Sequence, residues 1–500
     1  MLFGDLIDRA LAEGAGPRAA LIDETGMLTY ADLDRAANRF AQGLIARGFG
    51  PGARIALRAR NRLASGIIAL GAARAGAVLV HLSTRTTDRE IDAALAQTEA
   101  TLLFADAAIQ STAVPVVDLD RDALAWFETG PATRPVLDLS ADAPLALLFS
   151  GGTTGAAKGV LVSHHARLVT IDLAADGFGL TPADRVLVST PLFHTAALFC
   201  WLAPAWRQGA SVILGGKWSA ARFLATVEAH RATAAFLVPT QLSDLLAEPG
   251  WAPERLGSLR LVCHAGAPMP SDLADRLAAA IPTTDMVEHY GLSETGLLTQ
   301  RRRSDPADRR SSVGRAPAPI ELAVRGPAGE FLPPDTIGEI ATRGPHLLSA
   351  LVGDAPAALY PWGDGWLATG DCGRLDAEGF LTLIARSKDV IVSGAENLYP
   401  SEIEAALLRH PALAECAVFG VPDDRLGEVP VAQVVLRPGM VVTEVELIEL
   451  ALSILPRHKR PRHVIFAPSL PRSAVGKVLK SALSADYLAN RQRPEGSGAI

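Results

Sequence analysis

A loop rich in glycine and hydroxyl side chains, flanked by two apolar runs, constrains this chain more than any other stretch. The apolar runs 144–149 and 160–162 each predict a strand, and the residues between them are SGGTTGAAKG. Glycines let backbone N–H groups approach an oxyanion, the hydroxyls donate further hydrogen bonds, and Lys158 adds a compact positive charge. The stretch is therefore predicted to cradle phosphate.

A nucleoside triphosphatase P-loop and a flexible connection without a ligand are the alternatives. A P-loop needs Gly-Lys-Ser/Thr leading into a helix, whereas Gly159 and then strand-forming residues follow Lys158, so this class is disfavoured. The flexible connection stays open on the loop residues alone. Lysine usage counts against it, because only six of the 47 Lys and Arg residues are lysines, and a lysine kept here suggests a site that needs a point charge.

The bulk composition describes a globular protein with more than one domain. Five hundred residues, 49% of them apolar, exceed one usual core. The net charge of −7 argues against a nucleic-acid partner. One basic patch, 301–303 with Arg309 and Arg310, is either a solvated loop or a contact for an anionic ligand.

Cysteine usage and hydropathy predict a cytoplasmic protein. The four cysteines lack CxxC spacing, as expected of buried thiols in a reducing compartment. The start, MLFGDLIDRA, is acidic and lacks a signal-peptide pattern. The most apolar long run, 66–82, is interrupted by Arg74, so we expect no membrane span.

Alternating helical and strand-like patterns predict an α/β fold for most of the chain. Apolar residues at helical spacing in 33–44 precede a strand-like segment, 54–57. Later, a helix-like segment, 221–230, precedes the strand 234–238. Such alternation is expected of helices that pack on a largely parallel sheet.

After Gly338 the pattern changes to short strands and turns. Residues 375–380 predict a hairpin, because Asp and Gly supply its turn. Ser401 with Glu404, and Thr443 with Glu446, predict capping boxes at the starts of two helices. These elements indicate a small α+β unit, and we place the domains at residues 1–387 and 388–500.

Three further segments carry side chains suited to nucleotide chemistry. In HYGLSET, Tyr290 can stack on a purine, Ser293 can meet a phosphate and Glu294 can hold Mg²⁺, although a loop that starts a helix is the alternative. In WLATGD, Asp371 can accept both hydroxyls of a ribose, or it can cap an Asx turn. In LPRSAVGK, Lys477 can reach a distant cleft or remain a surface lysine.

In order and spacing, these segments resemble the core motifs of the adenylate-forming superfamily of acyl-CoA synthetases, peptide synthetase adenylation domains and luciferase. The resemblance covers almost the whole chain and is most specific in GGTTGAAKG, YGLSE, TGD, RSKDVIVSGAENLYPSEIE and PRSAVGKVLK. The GGTTG and GAENLYPSEIE forms are most similar to fatty-acyl and aryl-CoA ligases. The implied fold has a large N-terminal α/β-sheet domain with a distorted barrel, and a small, mobile C-terminal α+β domain.

The resemblance implies a ligase that works in two steps. A carboxylate attacks the α-phosphate of MgATP to give an acyl-adenylate and pyrophosphate, and coenzyme A then displaces AMP. The first step brings two anions together, so it requires positive charge and hydrogen-bond donors. The implied participants are ATP, Mg²⁺, coenzyme A and a fatty or aromatic acid of short to medium length, and we expect a monomer or homodimer.

The resemblance also assigns roles to individual residues. Lys477 corresponds to the adenylation lysine, Lys388 to the hinge of the small domain, His194 to the gate beside the carboxylate, Ser293 to the α-phosphate contact and Glu294 to the metal ligand. The remaining nucleotide contacts are the phosphate loop residues Ser150, Gly151, Gly152, Thr153, Thr154, Gly155 and Lys158, the adenine wall Gly266, Ala267, Pro268 and Tyr290, the ATP-binding residue Gly291, and the ribose contacts Asp371 and Arg386. The coenzyme A tunnel is assigned to Ser393, Gly394, Ala395, Glu396 and Asn397, and the acyl pocket to Phe193, His194 and His289.

His289 departs from the pattern of the superfamily. Ligases for long or flat acids tend to have glycine before the tyrosine, where it forms part of the floor of the acyl pocket. An imidazole at this position predicts a shorter pocket or a polar partner for the acid. The alternative is a histidine bound locally to Glu288, since one position rarely fixes specificity.

Two other functions remain open. An acyl-adenylate former can pass its product to a carrier protein or another acceptor, and coenzyme A-dependent thioester formation distinguishes this case. A sensor without catalysis is disfavoured, because Lys158, Glu294 and Lys477 are all present.

Overall fold

The computed structural model of the chain describes residues 1–106, 109, 113–150, 158–352, 359–394, 396–472 and 478–491. Within these ranges the chain forms two units. The first takes in residues from 1–150, 156–322 and 342–365, and the second takes in residues from 323–341 and 366–500. The domain boundary predicted between residues 387 and 388 refers to a hinge, and it stays a prediction.

The strands of the described residues all belong to sheets of four or more strands. In chain order they are β1 (Ala19–Asp23), β2 (Gly26–Thr29), β3 (Arg54–Arg58), β4 (Val78–His81), β5 (Leu102–Ala105), β6 (Val116–Asp118), β7 (Pro144–Ser150), β8 (Lys158–Ser163), β9 (Arg185–Val188), β10 (Ser211–Leu214), β11 (Ala234–Leu237), β12 (Leu261–His264), β13 (Asp285–Leu292), β14 (Gly296–Arg302), β15 (Glu321–Arg325), β16 (Gly338–Arg343), β17 (Ala350–Val352), β18 (Leu367–Leu375), β19 (Leu381–Arg386), β20 (Ile391–Ser393), β21 (Glu396–Leu398), β22 (Leu413–Asp423), β23 (Gly427–Leu436) and β24 (Val464–Phe466).

The helices alternate with the strands for most of the chain. In chain order they are α1 (Asp8–Ala12), α2 (Tyr30–Ala46), α3 (Leu63–Ala75), α4 (Asp88–Thr98), α5 (Ala123–Phe127), α6 (His164–Phe178), α7 (Thr195–Ala197), α8 (Ala203–Arg207), α9 (Ala220–His230), α10 (Pro239–Ala247), α11 (Ser271–Ala280), α12 (Pro400–Leu407), α13 (Glu444–Ile454) and α14 (Lys480–Arg491). A π-helical turn, Leu198–Leu202, joins α7 to α8.

The first unit contains two largely parallel sheets. One has the order β14-β13-β12-β11-β9-β10-β1-β2, and the other has the order β17-β8-β7-β4-β3-β5-β6. Strands β4, β5, β11 and β12 are buried along their whole length, as expected of parallel strands covered on both faces. Antiparallel strands occur at the ends, where β13 pairs with β14 and β7 pairs with β8.

The predicted alternation is confirmed in this unit. The helical pattern at 33–44 lies within α2, which Thr29 and Asp32 begin with a capping box, and the strand-like 54–57 lies within β3. The segments 221–230 and 234–238 correspond to α9 and β11. None of the helices in the described ranges is both long enough and apolar enough to span a bilayer.

The second unit contains a four-stranded sheet, in which β18 and β19 are antiparallel, and a mixed sheet. The first has the order β15-β16-β18-β19, and the second joins β21, β20, β23 and β22, with β24 parallel to β23. The four-stranded sheet is open, because β15 and β19 are its two ends, and no closed barrel occurs among the described residues. The distorted barrel implied by the resemblance is therefore absent from this part of the chain.

Two local predictions for this unit are confirmed and one is wrong. The hairpin predicted at 375–380 joins β18 to β19, and Thr443 with Glu446 caps α13. Ser401 with Glu404 forms no capping box, because α12 begins at Pro400, which takes the first helical position. Glu404 instead accepts hydrogen bonds from the Val418 N–H and the Lys480 ammonium.

Candidate functional site

The predicted phosphate loop connects two paired strands. In the β7–β8 hairpin Ser150 lies opposite Lys158, and Phe149 lies opposite Gly159. A Cβ on Gly159 would lie 2.6 Å from Leu147 Cδ2, so glycine is required where the loop enters β8. The loop residues Gly151, Gly152, Thr153, Thr154 and Gly155 lie outside the described residues, so their phosphate contacts stay a prediction.

The predicted adenine wall lies at the carboxyl edge of the parallel sheet. Residues 266–268 follow β12, and Tyr290 lies near the end of the adjacent strand β13, whose Glu288 pairs with His264 of β12. Gly266 has a φ of +86°, a backbone conformation that glycine adopts most readily. In open α/β sheets ligands bind outside this edge, so the fold brings the predicted adenine contacts together in the usual place.

Ser293 and Glu294 lie at the tip of the β13–β14 hairpin, and both side chains are half-buried. Their backbone is anchored from two sides. The Arg167 guanidinium donates from Nη2 to the Ser293 carbonyl oxygen at 2.6 Å, and the Leu348 N–H donates to the Glu294 carbonyl oxygen at 2.8 Å. The turn is therefore held by two of its carbonyl groups.

Two neighbours of this turn fix its shape. Gly291 pairs with Leu297, and a Cβ on Gly291 would overlap the Gly296 carbonyl, so only glycine allows the strands to approach here. The Thr295 hydroxyl accepts a hydrogen bond from the Leu292 N–H at 3.2 Å, which closes the hairpin. We will call residues 292–296 the hairpin tip.

The hairpin tip offers one carboxylate for a divalent cation. No group of three or more potential metal ligands occurs among the described residues. Magnesium bound to a nucleotide usually takes one or two carboxylates, with phosphates and waters as its other ligands. Glu294 is half-buried and its carboxylate oxygen fits this preference, so the residues present suit Mg²⁺ that arrives with ATP.

The predicted gate lies in the segment between β9 and α7. The rings of Phe193 and His194 are 4.4 Å apart and inclined by 47°. His194 precedes the first residue of α7, and its carbonyl accepts a hydrogen bond from the Leu198 N–H. Both rings are half-buried.

His289 lies in an aromatic stack inside the first unit. Its ring is 5.7 Å from Phe236 and 5.8 Å from Phe178, and its Nδ1 lies 3.3 Å from Cys263 Sγ. Burial lowers the pKa of His289 to about 4, so the imidazole is neutral at pH 7. A role in the acyl pocket stays a prediction.

The alternative, a local bond between His289 and Glu288, is disfavoured by the contacts that each side chain makes. Arg301 donates two hydrogen bonds to the Glu288 carboxylate, at 2.8 Å and 3.2 Å. Successive side chains of a strand point to opposite faces, so Glu288 and His289 face different sides of β13. Arg302 likewise pairs with Asp285.

The basic patch therefore belongs to the fold. Arg303 donates to backbone carbonyls of Ala278, Ile281 and Thr284, and Arg309 lies 3.0 Å from Asp308. Arg303 and Arg310 are nevertheless exposed, as the solvated-loop alternative expects, and a contact with an anionic ligand stays a prediction.

The predicted ribose contacts meet in the second unit. Asp371 lies opposite Arg386 in the β18–β19 pair, and Asp371 Oδ1 is 2.9 Å from Arg386 Nε. Asp371 is buried within β18, so the turn expected from its sequence is absent, although Gly370 has a φ of +74°. Glu339 accepts a hydrogen bond from the Gly370 N–H at 2.9 Å, so the backbone before Asp371 is anchored.

The predicted hinge and tunnel residues follow β19. Lys388 lies in the short 3₁₀ helix Ser387–Asp389, and partial burial lowers its pKa. Ser393 and Glu396 pair across a hairpin whose turn includes Gly394, with a φ of +58°. Glu396 Oε2 lies 2.9 Å from His458 Nε2. Ala395 and Lys477 lie outside the described residues, and their roles stay predictions.

The sequence motifs missed two residues that contact the candidate site. Arg167 reaches the hairpin tip from α6, and Glu339 reaches from β16 to both Gly370 and Ser387. A signal for Arg167 exists in the sequence. It shares one face of α6 with Ile171 and Phe178, which indicates that the side chain is buried, although His164 and Thr170 border the same face.

Comparison with known proteins covers both units. Residues 8–351 match the AMP-binding enzyme family, and residues 402–477 match the AMP-binding enzyme C-terminal domain. The chain is 35% identical to a feruloyl-CoA synthase of an Amycolatopsis species over 476 residues, 93% of this chain and 95% of that protein. It is 33% identical to an indoleacetate–CoA ligase of Aromatoleum aromaticum over 502 residues, 96% of this chain and 97% of that protein. ATP-bound MatB from Rhodopseudomonas palustris has a similar structure, with a TM-score of 0.89 and 28% identity over 97% of this chain and 99% of that one.

Proposed function

Because this chain belongs to the AMP-binding enzyme family, we propose that it catalyses the ATP-dependent ligation of a carboxylic acid to coenzyme A. The enzyme is an AMP-forming acyl-CoA synthetase, and its acid is a fatty or aromatic acid of short to medium length. The observation that carries the proposal is the hairpin tip, which presents Ser293 and Glu294 beside Tyr290 at the carboxyl edge of the sheet. Similarity to two ligases named for aromatic acids, over more than nine tenths of each chain, supports the substrate class.

The first half-reaction forms the acyl-adenylate. A carboxylate oxygen of the acid attacks the α-phosphorus of ATP, and the bond from that phosphorus to the bridging oxygen of pyrophosphate breaks. The Ser293 hydroxyl and the Lys158 ammonium, both from the first unit, are proposed to stabilise the charge on the phosphates. Magnesium at Glu294 would supply further positive charge to the same oxygens. Lys477 would neutralise the approaching carboxylate.

The second half-reaction forms the thioester. The thiolate of coenzyme A attacks the acyl carbon, and the bond from that carbon to the AMP oxygen breaks, so AMP leaves with its negative charge. The Asp371 carboxylate is suited to the two ribose hydroxyls, and Arg386 holds that carboxylate at 2.9 Å. The segment from Ser393 to Asn397 is proposed to line the coenzyme A tunnel. The oligomeric state, expected to be monomer or homodimer, stays a prediction.

The test is a pyrophosphate-release screen over fatty, aryl and dicarboxylic acids, with and without coenzyme A. We expect pyrophosphate and AMP with at least one acid, and an acyl-CoA when coenzyme A is present. Acyl-adenylate without thioester would instead indicate another acceptor, such as a carrier protein. Absence of AMP with every acid would contradict the proposal.

A pair of glutamate variants makes the same test specific. Glu294→Gln removes the charge proposed to bind magnesium, and we expect pyrophosphate release to fall by about two orders of magnitude. Glu321→Gln is the matched control, because that carboxylate forms an exposed pair with Arg343 at 2.7 Å. Equal activity of the two variants would remove Glu294 from the mechanism.

A further inference from the structure

Arg167 is a buried cation directly behind the hairpin tip. Its side chain has no exposed surface, and its Nη2 donates to the Ser293 carbonyl oxygen at 2.6 Å. Its Nε and Nη1 are buried and have no hydrogen-bond partner among the described residues. A fully buried guanidinium with one protein hydrogen bond is costly, so its presence at this position calls for a physical reason.

The surroundings keep the guanidinium charged. Burial lowers the pKa of Arg167 to about 10, and the Cys200 and Glu294 side chains partly offset this effect. Arg167 is therefore protonated at pH 7. Its guanidinium carbon also lies 5.5 Å from the centre of the Phe199 ring, within the range of a cation–π interaction. The positive charge thus interacts favourably with the Glu294 carboxylate and is hydrogen-bonded to the Ser293 carbonyl of the hairpin tip.

The hairpin tip is shaped to admit this side chain. Gly296 has a φ of +70°, and a Cβ there would lie 2.6 Å from Arg167 Nη1. Glycine at this position therefore lets the guanidinium contact the backbone of the turn. The Leu348 N–H binds the Glu294 carbonyl from the other side, so the two carbonyls of the tip have separate anchors.

We propose that Arg167 is a positioning residue for the nucleotide step, which it serves by fixing the Ser293–Glu294 turn. This proposal rests on the proposed function, in which Ser293 contacts the α-phosphate and Glu294 holds magnesium. Arg167 touches neither the nucleotide nor the metal in this scheme. It holds the backbone through one hydrogen bond to the Ser293 carbonyl, so the hydroxyl and the carboxylate keep a constant separation.

The test compares Arg167→Met and Arg167→Lys with Arg207→Met. Arg207 is the matched control because it pairs with Asp172 of the same helix, α6, at 2.8 Å, and it is absent from the contacts of the hairpin tip. For Arg167→Met we expect the dissociation constant of MgATP, measured by calorimetry without acid, to rise about tenfold, the scale of losing a residue that orients a metal ligand. The magnesium concentration for half-maximal pyrophosphate exchange should rise with it. Arg167→Lys keeps the charge and should recover part of both losses.

Melting temperature separates positioning from packing. A structural role alone would lower the melting temperature of Arg167→Met and leave the MgATP dissociation constant of the folded protein unchanged, which would overturn the proposal. Failure of both Arg167 variants to fold while Arg207→Met folds would also overturn it. Wild-type protein and Arg207→Met report on the proposed function itself, because both retain Arg167. Absence of pyrophosphate exchange in both would contradict the proposed function, whereas a change confined to the Arg167 variants bears on the positioning role alone.

Discussion

His289 is the residue predicted to limit the length of the acyl pocket. Its imidazole is neutral and lies between Phe178 and Phe236, with Cys263 at Nδ1. A ring that packs on two aromatic neighbours occupies volume that a glycine would leave free. If this volume belongs to the acyl pocket, the ring limits how far an acid can extend.

Replacing the ring should therefore change the acid profile. We expect His289→Gly to shift the preferred acids, ranked by kcat/KM, towards longer chains and to lower the free energy of unfolding by about 3 kcal/mol, as for other truncations of buried rings. His289→Phe keeps an aromatic ring in the stack, so its preferred chain length should stay that of the wild type. An unchanged profile in His289→Gly would remove His289 from the pocket.

For Arg167 and for the basic patch, the sequence did not predict which groups the side chains contact. The patch at 301–303 has the density of a ligand site, yet its side chains pair with Glu288, Asp285 and backbone carbonyls. Partners that distant in sequence follow only from the register of β13 and β14. For Arg167, its spacing from Ile171 and Phe178 indicates a buried position on α6, whereas its contact with Ser293 could not be predicted from the sequence.

At the scale of elements, local patterns predicted the strands better than they predicted the caps. The two runs beside the phosphate loop became β7 and β8, because a buried apolar run has few other solutions. The capping box at Ser401 failed because Pro400 starts α12 and Glu404 is needed by β22 and α14. The turn expected at Asp371 is a strand, because pairing of β18 with β19 outweighs the local preference of Gly and Asp.

Glu339 of β16 holds the backbone beside Asp371, the predicted ribose contact. It accepts hydrogen bonds from the Gly370 N–H and the Ser387 hydroxyl. We expect Glu339→Ala to weaken AMP binding about tenfold, because an unpartnered N–H beside Asp371 costs about 1–3 kcal/mol and frees the backbone. Calorimetric titration with AMP measures the effect. Glu321→Ala on the neighbouring strand β15 should bind AMP like the wild type, and the same loss in both variants would contradict a specific role for Glu339.

Five buried histidines are expected to lower the stability of the first unit as the pH falls. Burial lowers the pKa of His264 to about 3, and it lowers to about 4 the pKa of His81, His164, His289 and His346. An unfolded histidine titrates near pH 6.5, so between pH 6.5 and 4 unfolding takes up protons and the folded state loses stability as the pH falls. We expect each histidine to lower the free energy of unfolding by roughly 1 kcal/mol at pH 5.5.

The melting temperature at pH 7 and at pH 5.5 checks this expectation. His346→Gln provides the comparison, because an amide can still bond with the Thr342 hydroxyl that contacts His346 Nε2 at 3.1 Å. The variant should lose less stability than the wild type over this pH range. A wild type and variant with the same pH dependence would show that His346 is not among the groups that titrate on unfolding.

At the scale of the whole molecule, Lys477 tests whether the two half-reactions use different groups. The resemblance places this lysine beside the acid and the nucleotide during adenylation, and the hinge at Lys388 is proposed to exchange it for the coenzyme A tunnel. We expect Lys477→Ala to slow acyl-adenylate formation by two to three orders of magnitude, the scale of losing one electrostatic contact in a transition state. Conversion of supplied acyl-adenylate and coenzyme A to thioester should largely survive.

Lys480→Ala is the matched control for the different effects expected on the two half-reactions. Lys480 follows three residues later at the start of α14, and its ammonium lies 2.7 Å from Glu404 Oε1, an ion pair within the second unit. Because that charge is already paired in the fold, its loss should leave the ratio of the two half-reaction rates unchanged. If Lys477→Ala reduced both half-reactions equally, both steps would depend on the same lysine. That result would contradict the proposed rotation of the small domain about Lys388.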